Sequence, residues 1–447
     1  MKQGWQEALK AALDPEMLLW DEGSLIAYSS DFHHLSPVLT KELEGRKADC
    51  VASPRTEAEL DALIRVACTY RIPLTPRGGG TSNYGQSVPL TGGVVIDFSR
   101  MNRILELGGD FMRVEPGANI KRMEDAARSA GRELPLLPTT YKKSTIAGFV
   151  SGGFAGIGAV ERGTIWDGLV RSLTIKTAEP HPRSCKVEGE EVKPYLHAYG
   201  TLGLIVEMEV SLVPKTDWKQ WAVTFSDWES AALFGLAVAE NAEIRKRLVS
   251  VDEWPIPAYF TPLNLSYGRS VVLLEIAKAS EAAFLEAVRA HSGRIELEIG
   301  EDRYQEGIGV SDFAFGHSRL WVQKKEPAYT NMQISMGKDG FIGKLRALKE
   351  EFADLLIQIE FIRKAGELIV TARPIYKFTD KGRIARLIAL CESVGIKADN
   401  SHTYDLAEGG RAYALEKMWE IKRRNDPLGL LNQNKFAMPG AERRTGT

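Results

Sequence analysis

The chain has few cysteines, and none of them is placed to hold a metal. Its 447 residues include four cysteines that lie far apart and form no Cys-x-x-Cys pair: Cys50, Cys68, Cys185 and Cys391. This spacing argues against zinc sites, iron–sulfur clusters and a dense disulfide framework. It is typical of a protein from a reducing compartment, so we expect a cytoplasmic location.

The chain also lacks an excess of charge and a long apolar segment. Lys and Arg number 57 against 59 Asp and Glu, so the net charge of -2 provides no field that would attract nucleic acid or anionic lipid. The N-terminal stretch is interrupted by polar and acidic side chains, so we expect neither a signal peptide nor a membrane span. No internal repeat is present. With 44% hydrophobic and 26% charged residues, a chain of this length is typical of a globular protein with at least two domains.

Three consecutive glycines, residues 78–80, follow a predicted helix and strand. Thr56 and Glu59 have the spacing of a capping box, and the apolar residues that follow continue one helical face. We expect that helix to lead into a short strand at residues 72–74 and then into the glycine loop. Strand-like segments also follow the loop, so the glycines are predicted to lie between strands.

Two common phosphate-binding patterns do not fit this loop. A Rossmann loop needs a third glycine at the position of Asn83. A nucleoside-triphosphate loop needs a lysine at the position of Gln86, and Pro89 lies where its helix should run. What remains is a run of backbone N–H groups beside Arg77, which is typical of an anion site for a phosphate. The alternative is a tight turn between strands.

The rest of the chain divides into three parts. A second glycine-rich segment covers residues 144–158, and strand-like runs continue to Pro214. Residues 216–410 alternate alanine-rich helical patterns with strands, which indicates a separate α+β domain. A predicted C-terminal helix ends before Asp426 and Pro427.

The glycine segments carry a resemblance to a known family. The stretches PRGGGTSNYGQ, STIAGFVSGGFAGIG and AYGTLGLIVEMEVSLVPK, with DPLGLLNQNKF near the C-terminus, resemble the FAD-linked oxidases of the vanillyl-alcohol oxidase and para-cresol methylhydroxylase type, in particular their glycolate-oxidase-subunit-like branch. The resemblance implies an α+β fold with a two-subdomain FAD-binding domain and an α+β cap domain. The implied units are an N-terminal segment (1–48), the FAD-binding domain (49–215), the cap or substrate domain (216–410) and a C-terminal segment that returns to the FAD domain (411–447).

The resemblance implies a bound FAD and names the residues that would hold it. The first glycine loop would hold the pyrophosphate and ribityl chain, and the second segment, the strand after Gly203 and the tail would complete the site. The implied cofactor-binding residues are Arg77, Gly78, Gly79, Gly80, Thr81, Ser82, Gln86, Thr140, Thr145, Gly148, Ser151, Gly203, Ile205 and Asn432.

Departures from the family pattern indicate a non-covalent flavin. Thr81 stands where covalently flavinylated relatives have a histidine, and residues 144–158 contain no cysteine for the other common link. A link from a cap histidine stays open. The tail reads Asn-Gln-Asn-Lys instead of Asn-Pro-Gly-Lys, so Asn434 is an alternative to Asn432.

Oxidation of a hydroxylated substrate by a flavin requires a base and a substrate clamp. His317 and His402 are the candidate bases, in segments that we expect to be strand-like and that resemble recurrent cap segments of the family. The alternative for each is a structural or surface histidine. Arg373, at the expected end of a strand, would clamp a carboxylate, and its alternative is an ion pair with a local acid. Tyr376 and Tyr404 are further candidates.

These features predict an FAD-dependent oxidase or dehydrogenase acting on a small hydroxy acid, polyol or alcohol, with oxygen or a protein or quinone as electron acceptor. Residues 405–410 lack the Glu-His-Gly-x-Gly motif of metal-dependent D-2-hydroxyacid dehydrogenases, and no His-x-x-Lys motif of sugar-lactone relatives is evident, so we expect no metal. One alternative is an FAD-carrying subunit of an electron-transfer complex with an iron–sulfur or quinone-linked partner. Another is an interaction protein that no longer binds FAD.

Overall fold

The N-terminal part of the chain folds around a small, largely parallel sheet. The structure, a computed structural model, describes residues 2–300 and 307–436. The sheet has the strand order β1-β2-β4-β3, in which β2, β4 and β3 are parallel. Its elements, in chain order, are α1 (Lys2–Ala12), β1 (Leu18–Leu19), α2 (Glu22–Tyr28), α3 (Pro37–Glu42), β2 (Cys50–Ala52), α4 (Glu57–Tyr70), β3 (Leu74–Arg77) and β4 (Val94–Asp97).

Helix α4 forms as its sequence predicts. The Thr56 hydroxyl accepts the Glu59 N–H, and the Glu59 carboxylate accepts the Thr56 N–H, which completes the capping box. The predicted strand before the glycine loop is present, but its bounds differ: β3 begins at Leu74 and ends at Arg77 instead of covering residues 72–74. The Ile72 N–H donates to the Ala67 carbonyl at 2.9 Å, so Ile72 still closes the helix, and the chain enters the sheet two residues later.

A second, antiparallel sheet follows, with the order β5-β6-β10-β8-β9, and β7 pairs separately with β11. Helices α5 and α6 pack their apolar faces against this sheet. The Asn119 side chain caps α5, as predicted. The elements are β5 (Ile104–Leu107), β6 (Phe111–Val114), α5 (Ile120–Ser129), β7 (Arg132–Glu133), α6 (Ile146–Gly152), α7 (Ala159–Arg162), β8 (Val170–Lys176), β9 (Ser184–Glu188), β10 (Leu204–Ser211) and β11 (Val213–Pro214).

A large antiparallel sheet spans the third part of the chain. Its strands follow the order β15-β12-β14-β13-β18-β19-β17-β20, and β16 also pairs with β19. The elements are β12 (Trp218–Phe225), α8 (Trp228–Glu240), β13 (Lys246–Asp252), β14 (Ser270–Ala277), α9 (Glu281–Ala290), β15 (Arg294–Ile299), α10 (Gly316–Gln323), β16 (Tyr329–Asn331), β17 (Gln333–Gly337), α11 (Phe341–Glu351), β18 (Leu356–Lys364), β19 (Glu367–Lys377), α12 (Lys381–Ser393) and β20 (Lys397–Asp399).

The two faces of this large sheet have different neighbours. Helices α8, α9, α11 and α12 bury one face in a core of their own. The other face belongs to a core that also contains residues of the second sheet and of α10. The large sheet is therefore joined to the second sheet by a continuous apolar core, and polar groups between the two are held in a fixed arrangement.

The end of the described chain returns to the first sheet. Helix α13 (Leu415–Asn425) ends before Pro427, as predicted. The Leu74 N–H then donates to the Leu430 carbonyl at 2.9 Å, and the Asn432 N–H donates to the Leu74 carbonyl at 2.7 Å. The part of the expected C-terminal segment at 437–447 lies outside the described residues. None of the helices in the described ranges has the length and apolar character needed to cross a lipid bilayer.

Candidate active site

The two glycine-rich segments lie directly against each other. A Cβ atom on Gly78 would lie 2.1 Å from the Thr145 Oγ1, and one on Gly79 would lie 2.4 Å from the Lys143 carbonyl oxygen. Real Cβ atoms essentially never come this close to another atom, so glycine is required at both positions. The Thr81 and Ser144 hydroxyls are hydrogen-bonded at 2.8 Å, which ties the segments together beyond the glycines.

The backbone of the first loop is left free to bind an anion. In the described part of the chain, the N–H groups of residues 79–82 donate no hydrogen bond to a protein acceptor. Gly80 has a positive φ of 63°, which turns the chain back on itself over Arg77. The Arg77 guanidinium donates to the Ser30 carbonyl at 2.6 Å and lies on the Tyr28 ring. Arg77 therefore supports the loop as well as adding positive charge beneath it.

A groove runs from this loop to the large sheet through three adjoining cavities. The first, of about 730 Å³, lies between the two glycine segments and the start of β10. The second, of about 1470 Å³, shares Thr81, Ser82 and Gln86 with the first and reaches α10. The third, of about 1250 Å³, shares Arg373 and Arg411 with the second.

Most of the residues predicted for the cofactor line this groove. The first cavity is lined by Arg77, Gly78, Gly79, Gly80, Thr81, Ser82, Gln86, Thr145, Gly148, Ser151, Gly203 and Ile205. Thr140, His317 and Arg373 line the second cavity. Asn432 and His402 are not among the lining residues of any of the three cavities.

Asn432 instead supports the groove from behind. Its side-chain amide donates to the Gln86 carbonyl at 2.9 Å and to the Tyr199 carbonyl at 2.7 Å. Lys435, which the sequence reasoning did not single out although it lies in the tail motif, donates from Nζ to the carbonyls of Gln86 and Val88 at 2.8 and 2.6 Å. Burial lowers the pKa of Lys435 to about 7. The tail thus fixes the path of the chain just beyond the first glycine loop.

His402 is held inside the protein, away from the groove. Its Nδ1 lies 2.8 Å from the Ser36 hydroxyl, and its Nε2 lies 3.2 Å from the Tyr376 hydroxyl. Burial lowers the pKa of His402 to about 4. Both ring nitrogens therefore have partners, and neither faces the cavities.

His317 lies on the wall of the second cavity, but in a helix instead of the strand-like segment expected. It occupies the first turn of α10, which starts after Phe315 at a φ of 53°. The Phe315 N–H donates to the buried Glu360 carboxylate at 2.7 Å, and this tertiary contact sets the turn that the local sequence does not reveal. Burial is the main factor that lowers the pKa of His317. Its imidazole is therefore neutral near pH 7.

Three arginines converge on the second cavity. Arg373 lies in the interior of β19 and not at a strand end as expected, because β19 continues to Lys377 and pairs with β16 and β18. Its Nη1 donates to the Gln358 amide oxygen at 3.1 Å, and its buried Nε has no partner among the described residues. Arg319 donates to the Asn331 amide oxygen at 2.7 Å, and its buried Nε is likewise unpartnered in those ranges.

Arg411 completes this group from the segment before α13. Its Nε donates to the Asp399 carboxylate at 2.9 Å. Its guanidinium lies 5.8 Å from the centre of the Tyr84 ring and 5.6 Å from that of the Phe154 ring. The sequence reasoning missed Arg319, Arg411 and Tyr84, because segments far apart in the chain bring them together and no local pattern marks them.

The buried carboxyl of Glu360 interacts with the charge of Arg373. Burial raises the pKa of Glu360 to about 7, against the opposing effect of Arg373. Glu360 accepts a hydrogen bond from the Gln358 amide at 2.6 Å, and Gln358 in turn accepts one from Arg373. The second cavity thus presents three guanidinium groups, of which Arg411 is paired with Asp399.

Comparison with known proteins agrees with this geometry. A family model described as an FAD binding domain matches residues 48–179, which include both glycine segments. The match confirms the expected resemblance of this part of the chain to the FAD-linked oxidases of the vanillyl-alcohol oxidase and para-cresol methylhydroxylase type. The expected cofactor, FAD, is thereby confirmed, and the free N–H groups of residues 79–82 fit its diphosphate.

Individual relatives cover different shares of the chain. It is 30% identical over 180 residues to the glycolate oxidase subunit GlcD of Bacillus subtilis, which is 38% of each protein. It is 26% identical to a probable mitochondrial D-lactate dehydrogenase of Danio rerio over 65% of this chain and 60% of that protein. The chain thus spans less than two thirds of these two relatives. It is 24% identical over 432 residues to an uncharacterised FAD-linked oxidoreductase of Mycobacterium tuberculosis, covering 88% of this chain and 92% of that one.

A solved structure confirms the fold. An alkyldihydroxyacetonephosphate synthase superposes with a TM-score of 0.72 at 14% identity, over 97% of this chain and 85% of that one. The expected α+β fold with an FAD-binding part and a further sheet is therefore correct.

Proposed function

We propose that this protein is an FAD-dependent oxidoreductase that oxidises a small 2-hydroxy acid. The observation that carries the proposal is the convergence of Arg319, Arg373 and Arg411 on the cavity next to the glycine segments. Guanidinium groups bind carboxylates with paired, charge-assisted hydrogen bonds, and two of the three have an Nε without a partner in the described ranges. Such a cluster selects an acid over a neutral polyol or alcohol.

The first cavity is assigned to the diphosphate end of FAD. The N–H groups of residues 79–82 would donate to the diphosphate oxygens, with Arg77 below them. The remaining lining residues, from Gln86 to Ile205, would enclose the rest of that end of the cofactor. Asn432 and Lys435 would act indirectly by holding the Gln86 carbonyl. We assign residues 49–215 to the FAD-binding domain and 216–410 to the cap.

Arg373 would bind the substrate carboxylate, together with Arg319 and Arg411. His317 is the better candidate for the base, because it lines the same cavity and is neutral near pH 7. FAD supplies the acceptor for the hydride equivalent from the carbon that bears the hydroxyl. We assign His402 a structural role, since both of its nitrogens are bonded within the protein.

The experiment is anaerobic mixing of the enzyme with glycolate, lactate and other 2-hydroxy acids, followed by the loss of flavin absorbance. We expect His317→Asn to slow flavin reduction about 100-fold, since loss of a general base typically costs that much or more. We expect Arg373→Gln to raise the acid concentration needed for half-maximal rate. His181→Asn, at an exposed position, is the matched control. Reduction by the His317 variant at the wild-type rate would contradict the assignment of the base.

The electron acceptor is proposed to be oxygen or a protein or quinone partner. Mixing the reduced enzyme with air-saturated buffer separates the two. Rapid return of the flavin absorbance identifies oxygen, and slow return that an added quinone accelerates identifies a partner.

A further inference from the structure

The third cavity of the groove, which we call the outer chamber, is not needed to explain the oxidation itself. It lies over strands β19, β17 and β20 and opens to the surface near Tyr413. Phe315, Arg373 and Arg411 line both it and the second cavity. A molecule whose carboxylate is held by these arginines can therefore extend a tail into the outer chamber.

The floor of the outer chamber is made of polar side chains that share one face of the large sheet. Thr371 and Arg373 alternate with buried residues along β19, and Gln333 and Ser335 do so along β17. Ser335 pairs with Thr371 on one side and with Lys397 on the other, so the two hydroxyls lie on neighbouring strands. The floor is thus a row of groups that can donate and accept hydrogen bonds.

Part of this row has no hydrogen-bond partner among the described residues. The side chains of Gln333 and Ser335 make no hydrogen bond to any residue in the described ranges. Thr371 donates only a 3.3 Å bond, to the Glu360 carbonyl. A ligand that bears hydroxyl groups would satisfy these side chains, whereas an alkyl tail would displace their water without replacing its hydrogen bonds.

Aromatic side chains from outside the sheet, among them Trp166 and Phe154, also line the chamber. Trp166 lines the chamber with its indole N–H committed to the Lys193 carbonyl at 3.2 Å, and its ring meets the Phe154 ring edge-on at 5.8 Å. The indole N–H is therefore already bonded within the protein, and the ring carbons add apolar surface to the lining. A lining that combines a polar sheet face with aromatic surface suits a carbon chain that bears hydroxyl groups.

Two of the lysines that line the chamber are already engaged. Lys193 pairs with Glu190 at 2.7 Å, and Lys397 donates to the Gly410 carbonyl at 2.8 Å. Lys364, at the end of β18, is the remaining lysine of the lining, and it makes a second acidic group on the substrate the competing interpretation.

We infer that the outer chamber binds the hydroxyl-bearing tail of the substrate, which makes the substrate a polyhydroxylated 2-hydroxy acid, a sugar acid. This inference rests on the proposed function, because it assumes that the arginines hold the carboxylate and that the oxidised hydroxyl is next to it. The hydroxyls beyond carbon two would bond to Gln333, Ser335 and Thr371.

The test compares acids that differ only in the tail. D-Gluconate and D-mannonate, which have opposite configurations at carbon two, are compared with (R)- and (S)-2-hydroxyhexanoate, which have the same chain length without the outer hydroxyls. Glycolate serves as the acid without a tail, and 2-hydroxyglutarate as the acid with a second carboxylate. The measured quantity is kcat/KM for anaerobic flavin reduction. We expect the better sugar acid to exceed its hydroxyhexanoate counterpart about 100-fold, because the polar floor rejects a tail that cannot pair with it.

A variant that fills the chamber provides an independent readout. Ser335→Phe places a ring over the floor from a strand position, and Ser393→Phe, at the exposed end of α12, is the matched control. We expect Ser335→Phe to lower the preference for the sugar acid over glycolate at least tenfold, and the control to keep it. If Ser335→Phe does not retain FAD, the comparison of acids in the wild-type enzyme still decides.

Each outcome has a distinct meaning. Equal rates with the sugar acids and the hydroxyhexanoates, a clear preference for 2-hydroxyglutarate, or an unchanged preference in a folded Ser335→Phe would overturn the outer-chamber inference and leave the proposed function standing. If no acid in the panel reduces the flavin, the proposed function itself fails.

Discussion

The close contact between the glycine segments makes Gly79→Ala a sharp test of the cofactor site. The added methyl group would lie 2.4 Å from the Lys143 carbonyl oxygen and 3.2 Å from its carbon. An ordinary contact is 3.4 Å or more, so the segments would have to separate by about 1 Å. The obstacle is backbone held by hydrogen bonds from Lys143 and Ser144 to the Thr140 carbonyl, and it cannot simply rotate away.

The cost of this overpacking should appear as lost affinity for FAD. Forcing a methyl group into a packed site costs about 1–3 kcal/mol, which corresponds to a roughly 5- to 150-fold higher Kd. Without FAD the segments can relieve the clash by moving apart, and binding must then bring them back together. The assay is titration of FAD into apoprotein, followed by quenching of the flavin fluorescence.

The matched control is Gly109→Ala. A Cβ on Gly109 meets nothing within 4 Å, and this glycine is exposed and has no positive φ. We expect its Kd to stay within twofold of the wild-type value. If Gly79→Ala also bound FAD with wild-type affinity, the contact between the segments would not form part of the cofactor site.

Two further predictions concern groups that support the groove. Lys435→Met keeps the aliphatic stem but removes the donor to the Gln86 and Val88 carbonyls, so we expect the free energy of unfolding, measured with urea, to fall by about 1–3 kcal/mol; an unchanged value would show that these bonds do not stabilise the protein. His402 has a folded-state pKa of about 4, which burial lowers from 6.5. The stability that the neutral ring contributes to the folded state is therefore complete above pH 6.5 and is lost as the pH falls through 4. Between pH 6.5 and pH 4, the free energy of unfolding of the wild type should fall by roughly 3 kcal/mol more than that of His402→Gln. Free energies of unfolding that change in parallel with pH in the two proteins would contradict the buried, neutral state of His402.

The cofactor-binding half of the site could be expected from the sequence, because its signals are local. Three adjacent glycines beside an arginine indicate a loop whose backbone closely approaches a ligand or another segment. The Thr56–Glu59 capping box indicates the helix before it. Reliance on local sequence also explains why the strand before the loop was expected to begin at Ile72 instead of Leu74. Ile72 has the apolar side chain of a strand residue, yet its N–H closes the preceding helix.

The substrate half could not be expected to the same degree, because long-range contacts assemble it. His402 resembles a catalytic histidine in its local sequence, but its partner Ser36 lies 366 residues away and draws the ring into the interior. The turn that places His317 on the groove depends on Glu360. In the cavity, Arg411 lies near the rings of Tyr84 and Phe154, which come from two other segments of the chain.

This difference has a functional counterpart. The part of the groove that the sequence reveals is built mostly from backbone, which binds the diphosphate common to the whole family. The arginines and the outer chamber are built from side chains of distant segments, and such side chains can change without disturbing the loop. Substrate choice in this protein is therefore expected to depend on the large sheet and on residues 409–413, while cofactor binding depends on the glycine segments.

In the proposed site, the two glycine segments hold FAD through non-covalent contacts. This binding is tested most directly by the absorbance spectrum of the purified protein before and after acid precipitation. We expect a yellow protein with about one flavin per chain, all of which appears as FAD in the supernatant. A colourless protein that takes up no added FAD, or a flavin that stays with the precipitated chain, would contradict it.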